Sequence, residues 1–202
     1  MSPSTGITAP VMHRACGDAS KMPALSVYLA RYREVSVDVS LSDRVVDLVE
    51  EGFEAAIRIG QLPDSALIAK PLAPYRLMIC ASPDYLARRG TPCQPEDLSG
   101  HECLSFSPAA LASWRLQGAE GASRITVSGR LQVNHGQALR VAALHGLGIV
   151  LEADVHAGRL VRLFPEHQLP VRPMSVVYLQ DRHRAPKLRS FVHFLTERFA
   201  NV

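Results

Sequence analysis

The sequence has no run of about 18 consecutive apolar residues, the length a membrane span requires. Its richest stretch, residues 141–151, is interrupted by His145, Gly146 and Gly148. The opening residues Met1-Ser2-Pro3-Ser4-Thr5 carry no basic segment followed by an apolar one, so no secretory signal is visible and the expected compartment is the cytoplasm. Cysteine is scarce: Cys16, Cys80, Cys93 and Cys103 form no CxxC pair, which argues against a disulfide framework and for reduced, mostly buried thiols. Charge of one sign is missing too. With 22 basic and 19 acidic residues the net charge is +3, too small an excess to mark a nucleic-acid-binding surface.

Enzyme signatures are also absent. The chain contains no GxSxG, GxxxxGK[ST], HExxH or GxGxxG, and Gly146-Leu147-Gly148 precedes a strand where a dinucleotide fingerprint would follow one. His13 and Cys16 have an i,i+3 spacing that supplies half a metal site, but no second pair lies nearby in sequence, so no metal and no cofactor are expected. Glu50, Glu51 and Glu54 read as the solvated side of a helix end, and the basic run at residues 182–189 as the wet side of an amphipathic helix.

What is present is a folded α/β pattern. The apolar fraction is 47%, and 202 residues suffice for one domain or two small lobes, each with a core. Residues 35–42 alternate apolar and polar and predict one strand with four aliphatic side chains on a buried face. A helix precedes it, capped by Ser20 with Pro23 in its first turn and Leu25, Tyr28, Leu29 and Tyr32 at helical spacing. Ser42 is placed to cap a second short helix with Val45, Val46, Leu48 and Val49, stopped by Gly52 and followed by a strand at 54–60.

Strands are next expected at 67–69 and 76–80, around breaks at Pro71 and Pro74, and a helix from Pro83 to Gly90. A second alternation follows, with a strand at 125–133, a helix at 137–145 and a strand at 149–151. A strand at 174–179 and a helix after Pro186 close the chain, the helix carrying Leu188, Phe191, Val192, Leu195 and Phe199 on one face. Strands feeding helices twice over indicate two similar lobes with parallel sheets.

In such sheets ligands lie beyond the carboxyl ends of the strands, where loops meet helix N-termini. The candidate loops are Thr8-Ala9-Pro10-Val11, Ser42-Asp43, Phe106-Ser107 and Asn134-His135-Gly136. From them the candidate binding residues are Thr8, Pro10, Val11 and Ser42 in one lobe and Phe106, Ser107, Asn134 and His135 in the other. Arg58 joins them as a partner either for an anionic ligand or for Asp43 or Glu54. Hydroxyls, an amide and helix N-termini suit a small carboxylate or polar metabolite.

Four ordered blocks, VSVDVSLSDRVVDLVEEGFEAAIRIG, CASPDYLARRG, PEDLSGHECL and GRLQVNHGQALRVAALHGLGIVL, together resemble the effector-binding domain of LysR-type transcriptional regulators over nearly the whole chain. The resemblance implies two Rossmann-like lobes joined by two crossing strands, a type 2 periplasmic-binding-protein-like fold with its effector in the cleft between them. Lobe I would comprise residues 6–76 and 172–202 and lobe II residues 77–171, with the crossing strands near 74–77 and 170–174. It further implies a homodimer, helix 23–32 of one copy against helix 137–145 of the other, and no enzymatic activity. DNA contact in the family falls to an N-terminal winged helix-turn-helix, which this chain is expected to lack. The segment 152–156 is shorter than is usual for the family, and 12–22 more polar. A solute-binding protein of the same lobe architecture is the competing reading, disfavoured by the missing signal.

Overall fold

The computed structural model describes residues 6–8, 11–12, 22–43, 47–62, 65–106, 112–153, 158–181 and 185–200. The chain divides into two compact units, one of residues 1–75 with 172–202 and one of residues 76–171.

The first unit is built on a five-stranded sheet. Its strands are β2 (Val11–Met12), β4 (Leu41–Ser42), β5 (Ala55–Ile59), β6 (Leu67–Tyr75) and β14 (Arg172–Leu179), in the order β4-β2-β5-β14-β6. The first three are mutually parallel, and β14 is antiparallel to both its neighbours. A separate parallel ladder joins β1 (Gly6–Thr8) to β3 (Ser36–Asp38). Every residue of β5 is buried, as expected for a central strand covered on both faces. Helix α1 (Met22–Arg31) meets α4 (Pro186–Phe199) through Tyr28, which stacks edge-on to Phe191 at 5.1 Å and hydrogen-bonds Ser190 Oγ at 2.9 Å. On α4, Leu188, Phe191, Val192, Phe194 and Leu195 are buried, an apolar stripe at helical spacing.

The second unit repeats this order with other strands. They are β7 (Met78–Ala81), β8 (Ser105–Phe106), β11 (Gln132–Val133), β12 (Val150–Glu152) and β13 (Val161–Leu163). Strands β8 and β11 are parallel, a parallel bridge joins Cys103 to Ile149, and β7 runs antiparallel between β12 and β13. The sequence of neighbours is therefore β11-β8-β12-β7-β13, three parallel strands, one reversed and one more in the original sense. Helix α2 (Pro83–Arg89) is capped by Ser82, whose hydroxyl accepts from Tyr85 N–H at 3.3 Å, and ends at Gly90. A 3₁₀ helix (Pro95–Gly100) and the hairpin β9 (Ala112–Gly118) with β10 (Gly121–Val127) share a core of Leu98, Trp114, Leu116 and Val127. Helix α3 (Gly136–Leu144) buries Leu139 and Ala143 against Leu104 and Val150.

Several expectations need correcting. Residues 35–42 are two strands, β3 and β4, because they serve two ladders; Val35, Val37 and Val39 are half-buried and Leu41 is exposed, so no continuous buried face exists. Residues 48–52 form turns, with Asp47 Oδ1 accepting from Val49 N–H (2.8 Å) and Glu50 N–H (3.2 Å). That leaves Leu48 buried and Val49 exposed; Val45 and Val46 lie outside the described residues, as do Ser20, His13 and Cys16. Leu29 is more exposed than helical spacing predicts. Pro71 and Pro74 do not break the chain: β6 runs through both, opposite Ser175 and Pro173, because it is an edge strand beside a register shift at Met174/Ser175, where a missing N–H is tolerated. The strand expected at 125–133 is split between β10 and β11.

Among the described residues no cluster of His, Cys, Asp and Glu could hold a metal, and no helix is long and apolar enough to cross a membrane. Cys80 and Cys103 are free and buried, Cys93 free and exposed. Burial, then the neighbouring Glu152 and Glu102 carboxylates respectively, pushes the two buried thiols up to about 12, which keeps them protonated and unreactive.

Candidate functional site

In the second unit the path to the site is a backbone ladder. Cys103 N–H donates to Ser128 O (2.9 Å), Leu104 N–H to Ile149 O (2.8 Å), Ser105 N–H to Leu131 O (3.3 Å) and Ile149 N–H to Glu102 O (2.8 Å). These strands approach so closely that two glycines are obligatory. A Cβ at Gly129 would strike the Cys103 carbonyl, and one at Gly148 the Glu102 carbonyl. Locked in this way, residues 102–106 and 131–133 deliver their carboxyl ends side by side: Phe106 pairs with Val133, and the chain continues from Val133 into Asn134 and His135. The structure thus brings Phe106 and Asn134-His135 together, at the point where α3 begins.

His135 has a defined part in that junction. It is the N-cap of α3, and its Nδ1 accepts from Ala138 N–H at 3.3 Å. An accepting Nδ1 leaves Nε2 carrying the proton in the neutral ring, so one exposed donor remains for an anion. Asn134, one residue earlier, is exposed and outside the cap. Phe106 is half-buried and packs beside Leu104 and Leu139.

In the first unit the parallel register sets Val11 level with Leu41 and Ile57, and Met12 level with Ser42. Ser42 and Arg58 therefore occupy the same level of the sheet, one residue beyond. Thr8 and Val11 are strand residues, Thr8 opposite Asp38 in the outer ladder, so neither lies in the loop the sequence places them in. Pro10 and Ser107 fall outside the described residues.

Arg58 is 8% exposed and paired in register with Ser175, itself a buried hydroxyl. Burial lowers the guanidinium's proton affinity, and the Asp47 carboxylate acts in the opposite sense. Glu54, one partner expected for Arg58, makes its ion pair with Lys187 Nζ at 3.0 Å.

Sequence reasoning missed a polar hub behind the second-unit site. The buried Tyr85 hydroxyl accepts from Glu102 N–H at 2.9 Å and lies 3.1 Å from His101 Nδ1. Burial, and secondarily Arg89, holds the His101 imidazole below its ordinary range. The neutral ring is therefore the form that offers Nδ1 as acceptor. The sequence signal for it is Tyr85, the third helical residue of CASPDYLARRG.

A family description, the LysR substrate binding domain, matches residues 17–200. The chain belongs to that family. LysR-type relatives include the HTH-type transcriptional regulator CrgA of Neisseria meningitidis serogroup B, 33% identical over 187 residues, covering 89% of this chain and 62% of CrgA. The HTH-type transcriptional regulator DmlR of Escherichia coli K12 is 34% identical over 186 residues, covering 88% and 60% respectively. The chain therefore spans about three fifths of the length of these relatives. Among solved structures, the CrgA regulatory domain superposes with a TM-score of 0.87 at 30% identity, covering 98% of this chain and all of that one. The full-length Vibrio cholerae virulence activator AphB gives 0.78 at 25% identity, over 94% of this chain and 67% of AphB. The LysR domain here thus has the type 2 periplasmic-binding-protein-like α/β fold, and it is a regulatory, effector-binding domain, not an enzyme.

Proposed function

We propose that this LysR domain senses a small anionic metabolite, a carboxylate above all, and that the protein it serves uses the binding event to control transcription. The observation that carries the reading is the junction of β8, β11 and α3, where Phe106 supplies apolar area and Asn134, the His135 Nε2–H and the start of a helix supply donors. Ser42 and Arg58, level in the first unit's sheet, are the complementary contributors, with Thr8, Pro10, Val11 and Ser107 as further members of the proposed site. A thermal-shift screen of small carboxylic acids against their amides tests it: the acids should raise Tm and the amides should not, whereas equal shifts would remove the anionic assignment.

The partners proposed are the effector, a second copy of the chain and DNA, the last contacted through a helix-turn-helix of the kind for which CrgA and DmlR are named. Such a regulator works in the cytoplasm. Val27 and Leu29 on α1 and Val141 on α3 are large apolar side chains left exposed, which supports α1 of one copy packing on α3 of another. Light scattering at micromolar concentration should give twice 22.1 kDa; the mass of one chain would refute the dimer.

A further inference from the structure

The β9–β10 hairpin turns two chemically opposite faces outward and inward. Trp114, Leu116 and Val127 go into the core, while Ser113, Arg115, Gln117, Ala122, Arg124 and Thr126 are all exposed. The register places Arg115 directly opposite Arg124, with Ser113 opposite Thr126 and Gln117 opposite Ala122. Directly opposed residues have Cβ atoms about 5 Å apart, and like charges at that spacing destabilise a strand pair. Among the described residues no ion pair relieves either arginine; the basic neighbour Arg130 is by contrast held by Glu102 at 3.4 Å. The hairpin's own carboxylate, Glu120, sits in the loop beyond Gly118 and not on this face.

We propose that this face is a docking surface for an acidic, carboxylate-bearing segment of a partner protein. Two guanidinium forks side by side can each take a carboxylate bidentately, and the flanking Ser113 and Thr126 hydroxyls and the Gln117 amide add polar donors. Bound carboxylates would neutralise the repulsion the bare hairpin carries. Nucleic acid fits less well: duplex binding commonly draws on about 6 to 10 phosphate contacts, and two arginines offer few.

The test is fluorescence anisotropy of a labelled oligoglutamate peptide against an oligoglutamine control, at low salt and again at ~150 mM. The wild-type chain should bind oligoglutamate selectively and salt-sensitively. Arg115→Gln and Arg124→Gln should each weaken it by about twofold to fivefold, the range of exposed ion pairs. Arg124→Glu should abolish binding and at the same time raise Tm by about 1–4 °C, because it turns a repulsive cross-strand pair into an attractive one. Arg189→Gln, an exposed arginine on α4, should leave binding unchanged. The proposal is overturned if Arg124→Glu binds like wild type or melts lower, if Arg189→Gln weakens binding as much, or if duplex DNA binds equally well. It is also overturned if sedimentation shows wild-type self-association that Arg124→Glu dissolves, since the occupant would then be a second copy.

Discussion

The two units share one strand order and are held by different means. In the first, the central strand carries a buried cation, Arg58, beside the buried hydroxyl of Ser175, and aromatic rings close the α1–α4 contact. In the second, the corresponding strands are held by backbone proximity at Gly129 and Gly148 and by a tyrosine hydroxyl shared between a backbone amide and a histidine. One strand order is thus stabilised around a desolvated charge in one unit and around close backbone contacts and a polar hub in the other.

Glycine substitution breaks the comparison most severely. Gly129→Ala or Gly148→Ala should cost about 3 kcal/mol or more, because each new Cβ meets backbone that cannot move aside, and thermal unfolding should register it as a large drop or failure to fold. The first unit's Gly52, at φ +74° with open space around it, should lose only about 1–2 kcal/mol as alanine, the strain of the left-handed backbone alone.

The tyrosine hub gives the next effect. Tyr85→Phe strands the Glu102 N–H without its acceptor and should cost about 1–3 kcal/mol in denaturant unfolding. The same hub predicts a pH dependence. His101 titrates below its unfolded value of 6.5 in the fold, so the unfolded chain takes up the proton first. The stability that His101 contributes is present above that value and is lost as pH falls from 6.5 through the lower folded value. Melting curves of wild type and His101→Gln should converge as the pH is lowered through this window; parallel curves would detach His101 from the hub.

A smaller contrast separates two adjacent residues at the start of α3. His135→Ala removes the α3 cap and should cost about 1 kcal/mol, whereas exposed Asn134→Ala should stay within about 0.5 kcal/mol. Equal losses by thermal melting would transfer the capping role to Asn134.

Much of this was legible because the patterns were local. The α2 helix of CASPDYLARRG, the α4 stripe and the alternation of strands with helices follow from cap residues and periodicity, which neighbouring residues specify among themselves. What failed was set by distant partners. Nothing in residues 35–42 announces that two ladders divide them, and β6 keeps both prolines only because it lies at a sheet edge. The alternation of Ser113-Trp114-Arg115-Leu116-Gln117 in β9 is a local pattern of the same legible kind. The placement of Phe106 and Asn134-His135 at strand ends is legible from the alternation, but His135's engagement through Nδ1 depends on the turn geometry of α3.

The central claim is the proposal that the junction of β8, β11 and α3 binds an anionic ligand, and isothermal titration of the best carboxylate from the screen tests it most directly. Asn134→Ala should weaken Kd by about tenfold or more, the worth of a charge-assisted hydrogen bond. A titration curve of Asn134→Ala unchanged from that of the wild type would contradict it.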